Sequence, residues 1–176
     1  GTGAPVTNYS WSWYGLQPTA PTVAPTTATL TATPTFAPLV AFASNWTEVA
    51  GSSGWSVRHG HSSVVYGNKL FVMGGAAGAN FADVWSSADG GVSWVEVSSS
   101  PGWSARYVHS SVVYDNKLFV MGGFDNPVYF ADVWSSADGG VSWVEVSSSP
   151  GWSARRSHSS VVYDNKLFVM GGFDGA

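Results

Sequence analysis

The side chains with the most chemical capacity in this 176-residue sequence come in threes. Arg58, Arg106 and Arg155 each stand three residues ahead of a histidine: His61, His109 and His158. A guanidinium is a planar fork of donors suited to carboxylates. Three of them converging on one axis would form a ligand funnel for an anion or an acidic sugar. Three imidazoles would suit zinc only with three ring nitrogens about 2.0–2.1 Å from one ion. The regularity argues against both. A pair present in every unit serves every unit, here by satisfying backbone carbonyls and packing beneath a neighbouring tryptophan. Catalysis needs differentiated groups held in one place, and this sequence offers copies. No catalytic residue, metal or cofactor is expected. The tryptophan rows, Trp55/Trp103/Trp152, Trp85/Trp134 and Trp94/Trp143, could stack sugars, but their recurrence at strand and loop junctions assigns them to core.

The elements that position these residues are set by a repeat. Asp83–Asn126 and Asp132–Gly175 are windows of 44 residues that differ only at Tyr107/Arg156, Val108/Ser157 and Asn126/Gly175. A third copy lies upstream, with Trp55, Arg58, His61 and Gly74 recurring 48 residues on as Trp103, Arg106, His109 and Gly122. The slip falls between "GGAAGANFAD" and "GGFDNPVYFAD", where a surface connection absorbs an insertion at little cost. A fainter trace, Phe36–Val49, aligns with Phe81–Val97 once three turn residues are deleted.

Each unit carries four short strand signals, "HSSVVY", "KLFVM", "ADVWSS" and "SWVEV" (His109–Tyr114, Lys117–Met121, Ala131–Ser136 and Ser142–Val146). They are β-branched and aromatic runs, bounded by Asp115-Asn116, Gly122-Gly123 and Asp138-Gly139-Gly140 as turns. No stretch shows a helical apolar period. Four short antiparallel strands per 48–49 residues is the spacing of a β-propeller blade.

With Arg-x-x-His before the first strand, Gly-Gly after the second and Trp in the fourth, the units resemble kelch-type propeller blades. The octapeptide "SADGGVSW" resembles the Asp-box of sialidase and sortilin-type propellers. It runs through Ser87, Asp89, Gly91 and Trp94, and again through Ser136, Asp138, Gly140 and Trp143, with Ser93 and Ser142 where that family often has Thr. The resemblance implies a structural box remote from any active site. Its physical role is a hairpin: the aspartate accepts from backbone N–H groups ahead of it and the glycines supply positive φ. The symmetry-breaking acidic, tyrosine and arginine residues of a sialidase site have no counterpart.

If Phe36–Val49 is a worn third-and-fourth-strand pair, the chain holds about three blades, one of them split between its two ends. Three blades crowd the centre of a ring, and unpaired edges invite another chain. Two chains forming a six-bladed ring, a head-to-tail filament, or a stretch of a longer array all remain open.

Residues 1–47 contain no Lys, Arg, Asp or Glu, and six of the nine prolines lie in the first 40. We divide the chain into this Thr/Pro/Ala arm, 1–35, and a repeat domain, 36–176, with units at about 36–82, 83–131 and 132–176. The arm reads as an extended stalk, of roughly 65 Å at about 3.1 Å per residue, or as a disordered tail. "NYSWSWYG" (Asn8–Gly15) instead suggests a strand added to a neighbour. Sequons at Asn8 and Asn45, with Thr19, Thr22, Thr26, Thr27, Thr29, Thr31, Thr33 and Thr35, are candidate glycosylation positions. Without cysteine there is no disulfide framework. A net charge of −4 without a basic stripe argues against nucleic acid, and the proline-broken arm against membrane insertion. Low charge with ten tryptophans suits a chain that covers itself with sugar or with its own copies. The expectation is a secreted, non-enzymatic structural protein that self-assembles, with covalent glycans; the alternative is a glycan-binding propeller on a stalk.

Overall fold

The computed structural model describes residues 46–175 and the backbone of Tyr14 and Gly15. Every element among them is a strand. β1 (Tyr14–Gly15) pairs antiparallel with β2 (Thr47–Glu48). β3 (Ser62–Tyr66), β4 (Lys69–Ala77), β5 (Ala79–Ser87) and β6 (Val95–Ser98) form a four-stranded antiparallel meander. β7 (Ser110–Tyr114), β8 (Lys117–Asp125), β9 (Val128–Ser136) and β10 (Val144–Ser147) form a second, and β11 (Ser159–Tyr163) with β12 (Lys166–Met170) a half-sheet. These are blades of the propeller type. The repeat windows cut through β5 and β9, so each sheet draws on two of them.

The Val-Val-Tyr runs turn back through Gly67-Asn68, Asp115-Asn116 and Asp164-Asn165, all at positive φ. That is the two-residue hairpin whose twist matches the flanking strands. The Gly-Gly pair departs from its expected role as a turn. β4 and β8 run through it, with a register shift between Met73 and Gly75 and between Met121 and Gly123. The glycines make a bulge, and the turn lies beyond it, where the one-residue insertion is absorbed. Gly122 shows why no side chain fits: its φ is +55°, and a β-carbon there would lie 2.8 Å from Cε1 of His158 and 2.9 Å from the Arg155 carbonyl.

The core lies between blades. Phe71, Met73 and Val84 of the first meet Leu118, Val120, Trp103 and Trp143 of the second. The half-sheet lacks such a cover. Met73 and Met121 are fully buried, whereas Met170 at the same place in β12 is 49 % exposed.

β1–β2 and β11–β12 correspond to complementary halves of a blade. "NWTEV" (Asn45–Val49) aligns with "SWVEV", so β2 is a fourth strand. Its register, Tyr14↔Glu48, is that of Trp85↔Glu96 and Trp134↔Glu145. β1 therefore takes the third-strand position. The sequence assigned that position to Phe36 onward, which lies outside the described residues, as do Asn8, Asn45 and the arm threonines. β11–β12 supplies first and second strands, and among the described residues no third or fourth strand joins them.

Gly122→Ala should cost about 2 kcal/mol or more, combining left-handed strain with the clash. In the single, unassembled chain Gly171→Ala, at φ +67° with nothing within 4 Å of its β-carbon, should lose only the conformational part. Urea midpoints at unchanged m-value measure the difference.

Candidate functional site

The arginines are where the sequence pointed, and two of the three are already occupied. Arg58 donates from Nη1 to the Gly74 carbonyl at 2.8 Å and from Nη2 to Oδ2 of Asp83 at 2.8 Å. Its Nη1 also reaches Oδ1 of Asp83, which closes a bidentate fork. The ring of Phe81 lies 4.2 Å from the guanidinium carbon, and Nε1 of Trp85 donates to the same carboxylate at 2.8 Å. Arg106 repeats this with Gly122, Asp132, Phe130 and Trp134. Each β5 or β9 strand thus contributes Phe-x-Asp-x-Trp as one recognition unit: one ring stacks, the carboxylate pairs, the other ring steadies it.

Arg155 differs in its surroundings. It donates to the Gly171 carbonyl at 2.6 Å and to Oγ of Ser153 at 2.8 Å. Among the described residues no carboxylate pairs with it. A third strand would carry one, and among the described residues none joins its half-blade. A funnel of three equivalent arginines is therefore not what the fold builds, because Arg58 and Arg106 are neutralised within their own blades. The sequence reading found the carbonyl role and missed the aspartates. The signal was present, since Phe-Ala-Asp follows both arginines at 23–25 and 24–26 residues.

The histidines join consecutive blades. Nε2 of His109 lies 2.7 Å from Oγ of Ser62, and Nε2 of His158 lies 2.7 Å from Oγ of Ser110. Burial, then the Arg106 charge, pushes His109 down to about 3. Burial and the neighbouring arginines, Arg58 and Arg155 respectively, also lower His61 and His158. Ring nitrogens aimed at serines on different blades do not gather around one ion. Among the described residues no group of three His, Cys, Asp or Glu could hold a metal.

The backbone bonds beside them are copied from junction to junction. Gly75 N donates to Arg106 O at 2.9 Å, and Gly123 N to Arg155 O at 2.8 Å. Val108 N donates to Gly60 O at 2.7 Å, and Ser157 N to Val108 O at 2.8 Å. Tyr66 and Tyr114 each send a hydroxyl 2.9 Å to the next blade's turn, at Asn116 and Asn165.

The octapeptide forms the hairpin its residues imply. Ser93 N donates to Asp89 at 2.9 Å, Gly91 N to Oγ of Ser87 at 2.8 Å, and Nε1 of Trp94 to the Gly91 carbonyl at 3.1 Å. The second copy matches through Asp138, Ser136 and Trp143, where Gly140 N donates to Ser136 at 2.8 Å. These bonds stabilise the ionised carboxylates: Ser93 holds Asp89 well below its usual range, and Ser142 holds Asp138 at about 2. Trp94 and Trp143 pack edge-on against Trp55 and Trp103, at 5.8 and 5.9 Å. Trp103 and Trp143 are core, as expected of those rows.

Two outcomes follow. Asp132→Asn leaves the buried Arg106 without its counter-charge and should cost about 3–5 kcal/mol, whereas Arg155→Met, at an exposed fork, should stay within about 0.5 kcal/mol; chemical denaturation compares them. His109 stays neutral in the fold, so the stability it contributes is present above its unfolded pKa near 6.5 and is lost as pH falls toward 3. The urea midpoint should decline between pH 6.5 and 5, before carboxylates titrate. His109→Gln should flatten that decline.

Comparison with known proteins agrees with this architecture. A family model described as the KLHDC2/KLHL20/DRC7 Kelch-repeats domain matches residues 39–176. No curated protein matches the sequence significantly. Kelch-repeat propeller domains are in general non-enzymatic protein-interaction modules. With its bulged Gly-Gly strands, blade-joining histidines and a match over most of its length, the chain belongs to the kelch-repeat family.

Proposed function

We propose that this protein is a non-enzymatic extracellular structural protein whose copies assemble by completing one another's blades. The observation that carries this reading is the complementarity of the ends: β11–β12 wants a third and fourth strand, and β1–β2 is such a pair. Joined head to tail, each chain's half-blade receives the next chain's pair by strand addition. A contact of that kind generates a filament unless its rotation closes it into a ring.

Supporting observations come from the half-blade surface and from the arm. Phe168 and Met170 of β12 are 40 % and 49 % exposed, where Phe71 and Met73 in a completed blade are buried. The uncharged arm carrying β1 bears the Asn8 sequon and the threonines for glycans, and a second sequon lies at Asn45. Sugar on the arm is compatible with an aromatic-rich, weakly charged chain in an extracellular setting.

Light scattering and electron imaging of one purified sample test the assembly. A polymer of uniform diameter is expected, and Met170→Asp should release folded monomers by placing a charge on the face to be covered. A wild-type chain that stays monomeric at micromolar concentration would sink the reading, and a compact dimer would replace the filament by a closed ring. Mass spectrometry of protein from its native source tests for hexose on the arm peptide.

A further inference from the structure

We propose that the face of the first blade around Arg58 and Gly60 seats the β11–β12 half-blade of a second copy of this chain. The inference rests on head-to-tail assembly and names the surface and the bonds that make it. That face holds a cleft of about 340 Å³, lined by Ala50–Ser53, Trp55 and Val57–His61. The corresponding face of the second blade is filled by the first, and Trp103 there is 3 % exposed. The occupant at that junction is a first-and-second-strand pair with its Gly-Gly bulge, and the same type of occupant recurs one blade later.

The register follows by counting one repeat further. Gly75 and Gly123 donate to the carbonyls of Arg106 and Arg155, so Gly172 N donates to Arg58 O of the second copy. Gly60 O and Val108 O accept from Val108 N and Ser157 N, so Ser157 O accepts from Gly60 N of the second copy. Tyr66 and Tyr114 reach Asn116 and Asn165, so the hydroxyl of Tyr163 reaches Asn68 O of the second copy. The groups offered by the half-blade are on hand, since Ser157, Tyr163 and Gly172 are all exposed. The backbone is already shaped for the fit: Gly60, Val108 and Ser157 share φ of 62°, 49° and 58°. Both internal junctions are therefore copies of the external one, and a partner unrelated to this chain would have to imitate them.

The chain has no cysteine, so paired thiols report contact without background. Within the chain, a β-carbon at residue 60 would lie 3.1 Å from Cγ1 of Val108, which places side chains at these positions within disulfide reach. The double variant Gly60→Cys/Ser157→Cys, assembled and mildly oxidised, should give a ladder of covalent multimers on a non-reducing gel. Gly60→Cys/Ser142→Cys should give none. A polymer without the ladder overturns this interface and leaves assembly standing. A disulfide confined to monomers means that the chain's own half-blade fills the cleft, and overturns the second copy as occupant. Monomers with free thiols overturn both readings. Mixing the two single-cysteine variants, which should yield only dimers, covers failure of the double variant to fold.

Discussion

A guanidinium withdrawn from water must find a carboxylate, and the blade is organised around that requirement. Arg106 is wholly buried and cannot give up its proton. Its counter-charge is fixed on the third strand, at Asp132, so the loop before the first strand is tied to a strand two hairpins later. The same fork holds the Gly122 carbonyl and thereby sets the bulge. With the loop pinned, the carbonyl of Arg106 faces Gly75 of the preceding blade, and His109 meets Ser62. One ion pair therefore fixes both the inside of a blade and the join to the previous one. A buried pair of this kind adds little net stability compared with apolar packing, yet breaking it is costly. Its contribution is to geometry.

The rest follows from nearest-neighbour logic. Each blade buries its apolar side only against another blade, as stacked repeats do. An arrangement of this sort has internal members that are satisfied and end members that are not. The half-blade at Ser159–Met170 displays that difference side chain by side chain, and Arg155 displays it in charge. The near-identity of the two long windows means that its deficit can be read from its covered relatives. The arm brings no carboxylate, since residues 1–47 contain none, so a blade completed by the arm would leave Arg155 with carbonyl and hydroxyl partners only.

Much of this was legible in the sequence. The period, the four strands per unit and the octapeptide hairpin follow from residue types at fixed spacing, because local turn chemistry and β-branching act over a few residues. Gly-Gly was misread because a bulge and a turn ask the same of a glycine, namely positive φ. What distinguishes them is the close approach of His158 and Arg155 from another blade, which no local pattern records. The Arg–Asp forks stayed hidden for a related reason, since their partners lie two strands away. The partner of Thr47–Glu48 was sought in adjacent residues and found at Tyr14–Gly15, because pairing is decided by register across the sheet rather than by distance along the chain.

The placement of basic residues bears on how such a chain meets a protease. A protease that cuts after lysine or arginine has seven bonds to choose from and none in the first 57 residues. Lys69, Lys117 and Lys166 sit directly after tight hairpin turns, and Arg58 and Arg106 are buried in their forks. Cleavage requires an accessible stretch of chain that can open locally. Arg155 and Arg156 are tied by backbone bonds to Phe130, Gly123 and Phe173, so the exposed half-blade around Lys166 is what remains. Any neighbour that covers that end also removes the weakest bonds from digestion, which couples the lifetime of the chain to the company it keeps.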